Sequence, residues 1–139
     1  MRKLFYCLLL ALGFSLLATS CEKDPSGGGN ASELIGTWVI YKECEDGEWY
    51  FYDDDYAECF TFYKNGQGLY FEYDPYYEEI DWSVEFKWKR NNDKLTITFL
   101  GETDYCNIVK LTDKELVVKY EAMELIAYFK KVDDIDIDL

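Results

Sequence analysis

Ile80-Asp81-Trp82-Ser83-Val84-Glu85-Phe86-Lys87-Trp88-Lys89 is the stretch whose pattern settles the fold class. Large apolar side chains alternate with polar ones along its length. A β-strand sends successive side chains to opposite faces, so this period of two means one buried face and one wet face. Working outward, Asn91-Asn92-Asp93 turns the chain, and Leu95, Ile97 and Phe99 then face in while Thr96 and Thr98 face out. On the other side, Asp74-Pro75 breaks the run, residues 68–73 form a strand, and Asn65-Gly66 is a hairpin signal suited to a type I′ turn. Residues 58–64 make the partner strand, and residues 34–44 a further one before Asp46-Gly47. Residues 48–56 are aromatic and acidic, with no clear register. Residues 105–111, 115–121 and 124–132 complete the series. About eight short strands with turn signals between them mean a sandwich or a barrel. Successive hairpins without a long crossover favour a barrel, which also removes exposed edges. The expected fold is all-β, an eight-stranded antiparallel up-and-down barrel.

A secretory pattern precedes the barrel. Arg2 and Lys3 are followed by an apolar run over residues 4–17, then Ala18-Thr19-Ser20-Cys21. The run is too short for a bilayer-spanning helix, which takes about 20 residues. A positive start, a short apolar core and small residues before the cut are the parts of a signal peptide. The segment resembles the signal of bacterial lipoproteins, which implies that Cys21 is acylated and becomes the mature N-terminus. Buried acyl chains, at about 0.8 kcal/mol per CH₂, would hold the protein at the membrane. The sequence then divides into a signal peptide (1–20), a lipidated cysteine with a Gly-rich tether (21–33), the barrel (34–132) and an acidic tail (133–139). Glu22 and Asp24 resemble the surface-export signal of one large group of Gram-negative anaerobes. The expected location is the outer membrane, either surface-exposed or facing the periplasm.

Charge and composition exclude several functions. After residue 20 there are 12 Lys and Arg against 28 Asp and Glu, a formal charge of −16. Such a chain is repelled by phosphate, so nucleic acid is not a partner. Anionic membrane repels it too, which leaves the anchoring to the lipid. There is no histidine, which removes the Ser-His-Asp triad, the Cys-His pair and every His-ligated metal site. No phosphate-binding loop or dinucleotide fingerprint is present, so no cofactor is expected. Two carboxylates could hydrolyse a glycoside if held about 5 to 9 Å apart, but no motif selects a pair and the chain reads as non-catalytic. Asp53-Asp54-Asp55 lacks the glycine and final glutamate of an EF-hand loop, and the Ile/Asp alternation of 133–138 suits an edge strand or tail, so no metal site is expected.

Leu34-Ile35-Gly36-Thr37-Trp38 opens the first strand. It resembles the Gly-x-Trp motif that begins lipocalin barrels. The later landmarks are similar in order to the small lipocalin-like (calycin) domains of bacterial lipoproteins: Phe62 before Asn65-Gly66, Trp82 before Leu95-Thr96-Ile97, then Ile108 to Leu116 and the closing Tyr128-Phe129-Lys130-Lys131. The resemblance implies a calycin-like barrel with Trp38 near its closed end and Lys130 or Lys131 packed over that ring, in place of the arginine usual in larger lipocalins.

Two groups of residues could carry function. Trp38, Phe60, Phe62, Trp82, Phe86, Trp88 and Phe99 fall on the inward face, as a solid core or as an aromatic pocket. An eight-stranded barrel is just wide enough for side chains or for one small ligand. Trp49, Tyr50, Tyr52, Tyr76 and Tyr77 lie in aromatic, acidic segments flanking the Asn65-Gly66 hairpin. Flat rings beside carboxylates suit sugar rings or a cationic partner. The expected function is a lipid-anchored binding module for a small apolar or glycan ligand; the alternative is an acidic interaction or inhibitor protein that docks a cationic protein. Export permits disulfides. Cys44 and Cys59 close a short loop, but strand parity places them on opposite faces unless a bulge intervenes, and the three later cysteines leave one over in any pairing. Cys106 shares the inward parity of Ile108.

Overall fold

The computed structural model describes residues 33–52 and 57–132. The signal segment, Cys21, nearly all of the tether, Asp53-Asp54-Asp55 and the acidic tail lie outside them. Nine strands follow one another: β1 (Gly36–Glu45), β2 (Glu48–Phe51), β3 (Ala57–Phe62), β4 (Gln67–Asp74), β5 (Glu79–Asn91), β6 (Lys94–Phe99), β7 (Glu102–Leu111), β8 (Glu115–Tyr120) and β9 (Leu125–Val132). Each neighbouring pair from β3 to β9 is antiparallel, and β9 returns to β1 along Thr37 to Glu45, closing the sheet. With β9 on one edge of β1, β2 and β3 share the other edge end to end. Lys42 to Glu45 pair with β2, and Gly36 to Val39 pair with β3. The barrel therefore has eight staves, the eighth built from two short strands in series.

Turn residues explain the corners. Asp46 and Gly47 both have positive φ between the paired Glu45 and Glu48, as a type I′ hairpin requires. Asn65-Gly66 also makes a hairpin, but not the type I′ turn expected from the dipeptide. Gly66 N–H donates to Tyr63 O at 3.1 Å, and the left-handed φ falls on Gly66 and not on Asn65. This is a three-residue loop with glycine at the left-handed position. Asn65 instead uses its side chain, whose Oδ1 accepts from the Gln67 backbone N–H at 3.0 Å.

Three register shifts bend the staves. They fall at Tyr41 in β1, Asp81 in β5 and Val109 in β7. An extra residue reverses the facing of everything beyond it. The alternation of 82–88 places Val84, Phe86 and Trp88 inside, but Ile80, beyond the bulge, packs on the outer face with Tyr73 and Phe71. Beyond Tyr41, Cys44 pairs with Ile126 and faces out, while Glu43 pairs with Ala127 and faces in. Cys44 and Cys59 thus share the outer face, yet five residues of strand separate Cys44 from Val39, the partner of Cys59. That is about 16 Å at the usual rise, beyond the reach of a disulfide. Cys44, Cys59 and Cys106 are all free thiols.

The main core is the barrel interior, including Trp38, Phe60, Phe62, Phe86, Trp88, Leu95, Ile97, Ile108, Leu116, Val118 and Phe129. Its rings meet mostly edge to face, as between Phe62 and Trp88 at 5.6 Å and Phe60 and Phe129 at 5.5 Å, the geometry that ring quadrupoles favour. Gly68 opposite Phe62 makes room for this packing. A Cβ there would stand 2.2 Å from the Phe86 ring and 2.7 Å from Thr61 O.

Candidate functional site

The two ends of the barrel differ. At the end where β1 begins, Leu34 and Trp38 are fully buried, and Trp38 Nε1–H donates to Leu34 O at 2.8 Å. Lys131 crosses this end with its ammonium 5.2 Å from the Trp38 ring centroid, and its chain passes so close to Gly36 that a Cβ there would lie 2.8 Å from Lys131 Cε. Gly36 itself has φ +125°, a backbone conformation that favours glycine. Of the two lysines proposed for the role, Lys131 takes it; Lys130 points outward, over Tyr41. Trp88 Nε1–H donates to Tyr63 O and Gln67 O, tying the β3–β4 turn across the same end. Arg90 donates from Nε to Asn92 O at 2.7 Å and sits 3.9 Å from Glu33.

The opposite end, the mouth, is formed by the β1–β2, β4–β5, β6–β7 and β8–β9 turns. Tyr120 and Leu125 are buried at this end, but some of its inward residues stay partly exposed. Phe99 is half-buried, and Trp82 is 38% exposed at the rim with its ring 5.6 Å from Tyr70. Of the aromatic set expected inside, Trp38, Phe60, Phe62, Phe86 and Trp88 are packed together, with Phe60 reaching Phe99 at 6.4 Å. Trp82, at the rim, reaches the core through Tyr70, whose ring lies 4.9 Å from Phe60.

The second group divides. Tyr76 and Tyr77 are 83% and 67% exposed on the β4–β5 turn, their rings 4.8 Å apart, and both backbone N–H groups donate to Asp74 Oδ1. Trp49 lies on the outer face, 5.6 Å from Tyr128, with the Lys42 ammonium over both rings. Tyr50 is exposed and donates to Glu48. Tyr52 turns inward, packs on the core and donates its hydroxyl to Glu43 Oε1.

Below the rim is a layer that the aromatic pattern did not reveal. Glu58 has the parity of Phe60 and is only 5% exposed. Its partner Glu72 and the inward Glu43, Glu45, Asp104 and Glu102 complete an acidic throat. Burial, reinforced by the charges of Glu43 and Glu72 and opposed by a hydrogen bond from Tyr70, pushes the Glu58 carboxyl up to about 7. Burial also raises Glu43 and Asp104 above the usual carboxylate range. The Tyr70 hydroxyl lies 3.4 Å from Glu72 Oε1 and is hydrogen-bonded to Glu58 as well. Cys106 and Tyr120 line the wall beside Asp104, and burial pushes the Cys106 thiol up to about 12. The parity of Glu58 with Phe60 and of Asp104 with Cys106 was a readable signal for two of these acids. Glu43 had none, because the Tyr41 bulge decides its side.

A closed antiparallel barrel with a tryptophan-sealed floor and a mouth defines the calycin class. The chain belongs to the lipocalin-like domain family, whose model matches residues 34–118. Two solved structures share the fold. One is a lipocalin-like protein from Bacteroides uniformis, 14% identical, with 72% of this chain and 99% of that one covered at a TM-score of 0.60. The other is an uncharacterized protein from Bacteroides eggerthii, 16% identical, with 71% and 99% covered at a TM-score of 0.59. No curated protein matches the sequence. The lipocalin-like fold is typically a binding, non-catalytic one, which suggests a small-molecule binding module.

Proposed function

We propose that this protein is a lipid-anchored binding module of the bacterial outer membrane, tethered through Cys21, which takes a small ligand with an apolar or sugar-like body into the mouth of its barrel. The observation that carries this reading is the difference between the two ends. Inward residues at the floor are almost fully buried, whereas at the mouth Trp82, Val84 and Phe99 keep contact with solvent beside the buried Tyr120 and Leu125. Small-molecule sites are concave, mostly apolar and supplied with a few converging polar groups. The throat has the rings of Phe60, Tyr70 and Phe99 below and the acids above. Native mass spectrometry of the protein purified from its own host tests the reading. A co-purified small molecule is expected, and a bare protein accompanied by a filled throat in a crystal structure refutes it. Metabolic labelling with palmitate tests the anchor, with label expected on the native chain and lost in Cys21→Ser.

A second reading rests on Tyr76 and Tyr77, exposed beside Asp74, Glu78 and Glu79. Such a rim suits docking of a cationic protein. Acidic docking weakens steeply with salt, so a pull-down at low salt that recovers no basic protein refutes it.

A further inference from the structure

We propose that the open edge of β2 docks an extended cationic segment of a partner protein, which adds to the sheet as a further antiparallel strand. This surface is not the throat, and the proposal does not rest on the small-molecule reading. It shares a cationic partner with the second reading, but not its site. Closure of the barrel leaves one edge open. Among the described strands every other one is paired along both sides, whereas β2 is bonded to β1 alone. β3, in the same stave, is flanked by β4, but that pairing stops at Ala57 and Tyr73, and β4 ends at Asp74. Beyond that level no described strand pairs with the far side of Glu48–Phe51.

The β1–β2 hairpin fixes which backbone groups look outward. Tyr52 N–H donates to Tyr41 O at 3.1 Å. Hydrogen-bonded and non-hydrogen-bonded residues alternate along an antiparallel pair, so Tyr50 and Glu48 belong to the same bonded set as Tyr52. The N–H and C=O groups of Trp49 and Phe51 therefore point away from β1, along the open edge. The side chains of the same residues stand on the outer face, 49% and 72% exposed. Such an edge is a template for another strand. Strand addition draws affinity from main-chain bonds and specificity from alternate side chains.

The two faces of β2 say what the added strand carries. On one, Glu48 stands opposite Glu45 beside Asp46, and no described ion pair involves any of these acids. Like charges directly opposite are unfavourable, and Lys or Arg at alternate positions of an incoming strand supplies the missing charge. On the other face Trp49 and Phe51 favour apolar partners, and the Lys42 ammonium over the Trp49 ring disfavours a second cation there. Other occupants fit less well. A second copy brings the same acids and, after residue 20, a formal charge of −16. The acidic tail 133–139 leaves β9 at the floor, where Val132 pairs with Thr37. Its seven residues reach about 24 Å at most, and the strand from Thr37 to Glu45 is about 27 Å long at the usual rise, so the tail cannot run the length of β2. The edge itself lies at the mouth, the end of the barrel away from Glu33, where the tether joins.

Calorimetric titration of the full-length protein at low salt with synthetic octapeptides tests the proposal. The parent peptide alternates Lys and Val. Docked antiparallel, its Val residues stand opposite Trp49 and Phe51 and exchange main-chain bonds with them, while its Lys N–H groups face away. The parent is expected to bind. N-methylation of the Val residues should weaken it tenfold or more, and N-methylation of the Lys residues should leave it within about twofold. Both methylated peptides carry the same charge, so equal binding, or the reverse preference, would overturn antiparallel addition at this edge. A peptide alternating Glu and Val should not bind. On the protein, Phe51→Pro removes an N–H that β1 does not use, a position at which an edge strand tolerates proline. It should weaken the parent tenfold or more, and Phe51→Ala should weaken it less. Glu48→Lys gives an independent test if the proline variant fails to fold: the parent should weaken and the Glu–Val peptide should gain. Replacing Tyr76 and Tyr77 together by serine should change nothing; loss of binding there would move docking to the β4–β5 turn of the second reading and overturn the edge. A dimer in ultracentrifugation that Phe51→Pro abolishes would give the edge to a second copy, and no binding of the parent peptide also overturns the proposal.

Discussion

At the residue scale, two positions show how narrow the tolerances are. Leu100 adopts φ +47° in the β6–β7 turn and is 81% exposed, beside Gly101 at φ +93°. A left-handed conformation costs an ordinary L-residue roughly 1–2 kcal/mol, and asparagine less. Leu100→Asn is therefore expected to stabilise the protein by about 0.5–1 kcal/mol, read as a rise in thermal midpoint; an unchanged or lower midpoint contradicts the argument. Gly68 is the reverse case. The clash of any Cβ with the Phe86 ring and with Thr61 O cannot be relieved without moving backbone. Overpacking of a filled core costs typically 1–3 kcal/mol, so Gly68→Ala should lower stability by at least that range in a urea titration.

At the element scale, the bulge at Tyr41 settles which side chains of β1 meet the interior. It turns Cys44 outward while Cys59 and Cys106 remain buried, the latter two pushed up to about 12 by burial. A thiolate is the reactive species. Among these three, Cys44 alone should be alkylated by iodoacetamide under native conditions at pH 8, with Cys59 and Cys106 reacting after denaturation. Peptide mapping by mass spectrometry checks this, and fast native labelling of Cys106 would mean that the throat opens further than the structure shows. The strand pattern around 82–88 and the hairpin at Asn65-Gly66 were legible because each depends on a few adjacent residues. The facing of Ile80, Cys44 and Glu43 was not, because an inserted residue shows only against the partner strand.

At the scale of the whole molecule, the interior is polarised, basic at the floor and acidic at the mouth. That arrangement makes stability depend on pH with a definite sign. In the folded chain Glu58 holds its proton to about 7, whereas the unfolded chain releases it near the ordinary carboxylate value. Between those values the folded state binds the extra proton, so stability is greatest at the acidic end of the window and falls as pH rises through 7. The raised Glu43 and Asp104 act in the same direction. Glu115, half-buried, and Glu121, exposed, are lowered by hydrogen bonds from Lys110 and from Lys94 and Asn107, and act only below the ordinary carboxylate value. Thermal midpoints should therefore drop from pH 5 to pH 8, and Glu58→Gln should flatten the drop; a midpoint that rises over this range refutes the buried-acid assignment.

The sequence by itself determined the all-β class, the antiparallel order of the staves, the glycine–tryptophan floor and most of the aromatic core. Period-two alternation, turn residues and a short motif are local, and local steric rules are enough to decode them. Tertiary structure alone decided that β2 and β3 share one stave, that Lys131 and not Lys130 covers Trp38, and that Glu43 joins Glu58 inside. Each of these depends on which residue of one strand stands opposite which residue of another. Closing the barrel between β1 and β9 sets that register, and no single stretch of chain contains it.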